Sequence, residues 1–201
     1  MYKLYGSPGT GSASVEAALA ESGAEYDVIP TITKNGAHMT EAYRAINPRQ
    51  QVPALQLPDG SVMTEGAAML LHIADAFPAA GLAPAPGTPA RAQHDRWIVF
   101  MAVNIYEGEL RRGYPERYAD DADSVARKAA DYVERHYAIL EEAITGPYFF
   151  GDRCCVADIY LWNMATWVDP DWLRSNFPKV DALMITVKNR PLIAPIHAAH
   201  A

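Results

Sequence analysis

Apolar positions recur at helical spacing in several stretches of the chain. Val15, Ala18 and Leu19 do so within Ser12–Ser22, and Gly23 supplies a natural C-terminal stop. Tyr2–Tyr5 before this helix and Tyr26–Ile29 after it read as short strands. Strand, helix and strand in that order require a parallel pair joined by a right-handed crossover. Ala54–Leu57 has strand character, Pro58-Asp59-Gly60 has turn chemistry, and Ser61–Met63 returns as the antiparallel partner. A helix follows from Glu65 to Phe77, so the order is βαβ and then ββα. Thr33–Asn47 is ambiguous: Lys34, Asn35 and Gly36 look like loop, and Met39–Ala45 like a short helix.

Between Pro78 and Pro89 the periodicity stops. Four prolines and two glycines in twelve residues mark an interdomain linker. Everything beyond reads as helix. Ala90 to about Glu107 is long and amphipathic, and Ser124–Ile144 aligns Val125, Ala129, Tyr132, Val133, Leu140 and Ile144 on one stripe. Val156–Val168 is apolar on most sides and is expected to be a buried central helix. Pro178–Asn189 is a further helix, and the tail to Ala201 is left unassigned. The expected division is residues 1–78, a linker over 79–89, and an all-helical domain over 90–201.

The most informative stretch runs from Asn47 to Ala68. Pro53 stands where a strand begins, in a Val52-Pro53 bond of the one type that is cis at modest cost. A cis bond there turns the main chain of Val52 outward. Glu65 and Gly66 fall in the first turn of a helix, where free N–H groups favour a carboxylate while the Glu65 side chain can take an ammonium. Together these groups suit a small zwitterionic peptide, although each one alone also occurs in proteins that bind nothing.

Gln51-Val52-Pro53-Ala54-Leu55 followed by Thr64-Glu65-Gly66 resembles the glutathione site of the glutathione transferases, most nearly the bacterial beta class. The resemblance spans essentially the whole chain. It implies an α/β thioredoxin-like N-terminal domain, an all-α C-terminal helical domain, and glutathione as co-substrate. By this resemblance Gln51, Val52, Pro53, Glu65 and Gly66 bind glutathione, with Val52 pairing through its main chain with the cysteinyl part. Many relatives carry Ser where Gly66 stands, so only a backbone donor is left there. Lys34 is either the family's basic contact to glutathione or a solvated surface lysine. A homodimer is implied by the resemblance alone.

Composition narrows the partners. Seventeen basic residues against twenty-four acidic ones give a formal charge of −7, which argues against nucleic acid or an anionic membrane. No run approaches the ~18 apolar residues of a membrane span, and the N-terminus lacks a secretory apolar core, so the cytoplasm is expected. Cys154 and Cys155 are adjacent and cannot staple distant segments. The histidines show no ligand spacing with the cysteines, so no metal is expected.

Glutathione chemistry needs the thiolate, and a free thiol near pKa 8.5 is only about 3% ionised at pH 7. A hydroxyl donor and a helix N-terminus that lower the value to about 6.5 make roughly three quarters of it thiolate. Beta-class relatives have a cysteine that falls on Gly11, which disfavours a mixed-disulfide mechanism here. The remaining candidates are Ser12 and Thr10, with Tyr5 and Ser7 behind them; Ser12 is equally readable as a plain N-cap. A histidine that faces the active site in the beta class aligns with Tyr106. Asn104, Tyr106, Arg112 and Tyr114 lie in a run too polar and aromatic for a buried helix end, and are candidates for binding the electrophile in an otherwise apolar pocket. Cys155 takes the N-cap place of the family's capping box with Asp158, which predicts a cap weaker by about 1 kcal/mol.

The expected activity is conjugation of glutathione to small hydrophobic electrophiles. Glutathione-dependent isomerisation, dehalogenation or ether cleavage is the first alternative, and a binding module without turnover is the second.

Overall fold

The computed structural model describes all 201 residues. Four strands form one mixed sheet: β1 (Tyr2–Gly6), β2 (Tyr26–Pro30), β3 (Ala54–Gln56) and β4 (Val62–Met63), in the order β2-β1-β3-β4. β1 and β2 are parallel, in register from Tyr2 opposite Tyr26 to Gly6 opposite Pro30, while β3 runs antiparallel to both β1 and β4. α1 (Ser12–Ser22) makes the crossover and ends on Gly23, whose positive φ of 73° is the left-handed stop expected of it. The ambiguous stretch resolves into two single 3₁₀ turns, Thr33–Asn35 and Ala37–Met39, and a four-residue helix α2 (Glu41–Arg44) capped by Thr40. α2 starts later than expected because the Thr40 hydroxyl accepts from the Tyr43 N–H at 3.2 Å and fixes the start there. α3 (Gly66–Ala76) completes the first half.

The second half is helical throughout: α4 (Pro89–Phe100), α5 (Glu107–Gly113), α6 (Ala122–Ala143), α7 (Val156–Ala165), α8 (Pro170–Asn176), α9 (Pro178–Lys188) and α10 (Ala194–His200). The expected single helix from Ala90 to Glu107 is instead α4 and α5 joined by six π-helical residues, Met101–Tyr106. Every residue of α7 is buried, as its all-round apolarity predicts. α7 packs on α1 and α3 from the first half and on α4 and α9 from the second, so one core runs through both. Each large side chain fully buried there, such as Trp162 or Leu161, contributes about 1.5–3 kcal/mol.

Polar ties reinforce this junction. Arg91 on α4 donates to both carboxylate oxygens of Asp75 on α3, at 2.6 and 3.0 Å, and Arg190 does the same to Glu21 on α1 at 2.9 and 2.6 Å. The proline-rich segment is held by the Val156 N–H, which donates to Leu82 O at 2.8 Å. No helix is long and apolar enough to cross a membrane.

Candidate functional site

A cleft of about 740 Å³ opens between the sheet half and α5. One wall is the turn before β3. The buried Asn47 shapes it: its amide donates to Gln51 O at 2.7 Å, and its side-chain oxygen accepts from the Arg49 N–H at 3.0 Å. The Tyr43 hydroxyl adds a second donor to Gln51 O at 2.8 Å. The Val52-Pro53 bond is cis, as expected, and Gln51 and Val52 both line the cleft while Pro53 is buried behind them.

Glu65 is the N-cap of α3 and holds an uncommon positive φ of 67°. No side chain caps this helix, so the first amides from Gly66 onward are left to water or a ligand. The Glu65 carboxylate pairs with Arg49 at 2.8 Å, with both side chains largely exposed, so the pair is open to exchange with another cation.

In the loop from Gly6 to Ser12 the hydroxyls expected to serve the thiol are bonded within the loop itself. Ser12 is 1% exposed, and its hydroxyl points back into the loop, donating to Ser7 O at 3.0 Å and accepting from the Ser7 N–H at 3.2 Å. Gly11, not Ser12, is the N-cap of α1. Thr10 does line the cleft, but its hydroxyl donates to the same Ser7 carbonyl at 2.7 Å and lies 2.9 Å from Ser12 Oγ. Both hydroxyls are thus engaged within the loop.

Tyr106 reaches the same cleft from the other half. A β-carbon built on Gly11 would stand 2.6 Å from Tyr106 Oη, so the glycine makes the room that the phenol fills. The hydroxyl has no protein partner. Burial, and after it the Glu65 charge, push its pKa up to about 12, so it stays protonated and can donate. The ring is held edge-on by Trp167 at 5.0 Å and lies near Tyr160 at 6.2 Å.

The π-helical segment explains how Tyr106 is aimed. A shift to i→i−5 bonding displaces the normal acceptors of one helical turn. Asn104 compensates: its amide donates to Phe100 O at 2.9 Å, and its oxygen accepts a short bond from the Tyr132 hydroxyl on α6. Asn104 is therefore turned toward α6 and away from the cleft, contrary to its expected place in the electrophile pocket.

Arg112 and Tyr114 do reach the cleft, and their wall is aromatic and basic where an apolar pocket was expected. Leu110 is its one aliphatic side chain; Tyr106, Arg112, Tyr114, Arg117 and Trp167 supply the rest of its surface, with the 6% exposed Glu109 beneath. α5 can sit this close to α6 because a β-carbon on Gly108 would come within 2.5 Å of Val133. Burial raises the Glu109 pKa against the opposing charge of Arg112, whose Nη2 lies 2.6 Å from Glu109 Oε2. Lys34 is exposed on its 3₁₀ turn and absent from the cleft lining, while Thr33 and His38 from the same loop are present.

Sequence reasoning missed Arg49, His38, Arg117 and Trp167. Arg117 was within reach, since it closes the same polar and aromatic run as Arg112. Trp167 stands at the end of a helix whose apolarity signals only burial.

Cys155 occupies the N-cap of α7 in the expected capping box with Asp158, and its thiol also donates to Asp158 Oδ2 at 3.1 Å. Asp158 also accepts from the N–H groups of Cys155 and Phe149, at 2.7 and 2.6 Å. Burial and the Asp158 charge raise both thiols, which makes them inert. No group of three or more His, Cys, Asp or Glu side chains is placed to hold a metal ion.

A sequence model of the glutathione S-transferase N-terminal domain matches residues 12–76, and one of the C-terminal domain matches residues 111–196. The chain is 32% identical over 201 residues to an uncharacterized GST-like protein, YncG, of Escherichia coli (strain K12), covering 98% of this chain and 97% of that one. It is 28% identical over 167 residues to a maleylacetoacetate isomerase of Pseudomonas aeruginosa, covering 80% and 77%. Among solved structures, a Sulfitobacter glutathione transferase homolog with bound glutathione superposes with a TM-score of 0.90 at 28% identity, over 98% and 97% of the two chains. A beta-class glutathione S-transferase of Sphingomonas chungbukensis gives 0.82 at 30% identity, over 99% and 98%.

Proposed function

The chain belongs to the glutathione S-transferase family, and from that membership we propose that it binds glutathione in this cleft and adds its sulfur to a small electrophile. The observation that carries the proposal is the meeting, in one cleft, of the Gln51-Val52 wall and a phenol hydroxyl without a protein partner. Val52 offers its main chain to the cysteinyl part. The amides at the start of α3, from Gly66, take the γ-glutamyl carboxylate, and Glu65 exchanges Arg49 for the γ-glutamyl ammonium.

Tyr106 donates its hydrogen bond to the sulfur and so lowers the thiol pKa, working with the amides that open α1. The thiolate then forms a carbon–sulfur bond, either displacing a leaving group with its electron pair or adding to an activated double bond that takes a proton from water. A homodimer fits the one-turn spacing of Val99 and Val103, which stand exposed on α4 and the π-helical segment.

The test is ultraviolet titration of bound thiolate across pH. A thiolate band well below pH 8 in the wild type, lost in Tyr106→Phe and retained in Ser12→Ala and Thr10→Ala, is the expected result. No binding at millimolar glutathione would remove the proposal.

A second activity is favoured by the similarity to a maleylacetoacetate isomerase: the same thiolate adds to a conjugated substrate and leaves again, regenerating glutathione. Product analysis separates the two, since conjugation consumes glutathione and isomerisation returns it.

A further inference from the structure

The basic wall of the cleft is out of character with the rest of the molecule. The chain carries a net charge of −7, yet two guanidinium groups, Arg112 and Arg117, face the cleft beside a single buried carboxylate, Glu109. Their hydrogen-bonding capacity is far from used. Arg112 donates from Nε to Glu109 Oε2 at 2.7 Å and from Nη2 to Trp167 O at 3.1 Å, with Nη2 also 2.6 Å from Glu109 Oε2 in the ion pair, which leaves Nη1 without a protein acceptor. The nearest carboxylate oxygen to Arg117 is that of Glu116 at 4.0 Å, and its guanidinium stands over the Tyr114 ring with the central carbon 4.0 Å from the centroid. The buried Trp167 Nε1 has no acceptor at all.

A neutral apolar electrophile would cover the free donors of the two arginines and leave them unpaired, which costs free energy for each group desolvated. The γ-glutamyl carboxylate does not answer the need, since the proposed function places it at the start of α3. What fits is a second acceptor brought by the other substrate. Tyr114 and Trp167 add flat faces that suit a planar, conjugated body.

Resting on the glutathione-dependent function above, we propose that the electrophile is a flat aromatic or conjugated compound bearing a carboxylate, held by Arg112 and Arg117 with its planar part on Tyr114 and Trp167. The carboxylate makes charge-assisted hydrogen bonds with the two arginines, and the fork of Arg112 fixes its orientation. Specificity follows from the donors left empty when a neutral isostere is bound.

The experiment uses two glutathione thioethers of the same shape, S-(4-carboxybenzyl)glutathione and S-(4-carbamoylbenzyl)glutathione, with glutathione itself as control. Binding to the full-length protein is measured by calorimetry at low and high salt. The expected result is about tenfold tighter binding of the carboxylate form, a preference that shrinks at high salt. Arg117→Gln should cut the preference to about twofold or less; Arg112→Lys, which keeps the charge but loses the fork, should reduce it partway. Equal affinity for the two thioethers, or a preference for the amide, would overturn the proposal while leaving glutathione binding intact. If glutathione itself does not bind, the proposed function fails first and takes this inference with it.

Discussion

The Tyr106 hydroxyl stands where a side chain on Gly11 would begin, 2.6 Å from the position of its β-carbon. The two residues come from opposite halves of the protein, and each explains the other. A phenol reaches this spot only because residue 11 has no side chain, and residue 11 can lack one because the phenol fills the volume.

This pairing predicts a coupled response to substitution. Gly11→Ala alone should destabilise the protein by about 1–3 kcal/mol through overpacking against Tyr106. In the Tyr106→Phe background the closest oxygen is gone and the nearest ring carbons lie at 3.1 and 3.3 Å, so part of the cost should disappear. A double-mutant cycle by urea unfolding should return a coupling of about 1 kcal/mol or more. Additive effects would mean that the two side chains do not compete for space.

Removing the Tyr106 hydroxyl should also be felt by bound glutathione. A hydrogen bond to a charged acceptor is worth about 1.5–3 kcal/mol, so Tyr106→Phe should raise the apparent thiol pKa by about 1–2 units. Spectroscopic titration of the complex reads this directly.

Ser12→Ala should behave in the opposite manner. Its hydroxyl serves the Ser7 backbone, so its loss should cost about 1–3 kcal/mol of stability while the thiol pKa of bound glutathione stays put. Thermal unfolding and the same titration, run side by side, separate a structural hydroxyl from a catalytic one.

Asn104 acts at one remove. Asn104→Ala strips partners from Phe100 O and the Tyr132 hydroxyl, and should favour reversion of the π-helical turn toward α-helix, which rotates Tyr106 relative to Gly11. The expected outcome is a fall in kcat with the thiol pKa raised toward that of Tyr106→Phe. A loss of stability with an unchanged thiol pKa would confine Asn104 to packing.

The two cysteines set an alkaline limit. Burial raises both folded-state thiols above the ~8.5 of an unfolded thiol. Their contribution to stability is complete below that pH. Above it the unfolded chain sheds protons that the native chain keeps, so stability should fall by up to about 1.4 kcal/mol per pH unit for each thiol, until the folded thiols ionise as well. Denaturant titrations between pH 7 and 10 should show this slope, and Cys154→Ala should reduce it. Alkylation of either thiol in the native protein should be slow at neutral pH.

Helices α1, α3, α6 and α7 were legible in the sequence because their apolar spacing or all-round apolarity reports directly on burial. The cis bond before Pro53 was legible from proline chemistry, and the start of α3 to within one residue, since the expected first helical residue, Glu65, is its N-cap. The direction of the Ser12 hydroxyl was not, since it depends on how the loop folds back to present the Ser7 carbonyl. Neither was the π-helical turn: it rests on a bond between Asn104 on one helix and Tyr132 on another, and no local pattern encodes such a pair. The basic wall was half visible, through Arg112 and Tyr114; Trp167 joins it only once the chain has been folded.

The junction between the two halves limits how such proteins can exchange parts. Residues 11 and 106 lie on different segments that recombination could readily separate, yet each has to arrive with its counterpart. A hybrid taking its helical half from this chain and its first half from a relative with a side chain at position 11 would bring two groups to one place. A hybrid of the reverse kind, with a smaller residue at position 106, would leave a hole beside Gly11. Shuffled libraries built from this chain should therefore yield well-packed members only where both positions share one parent.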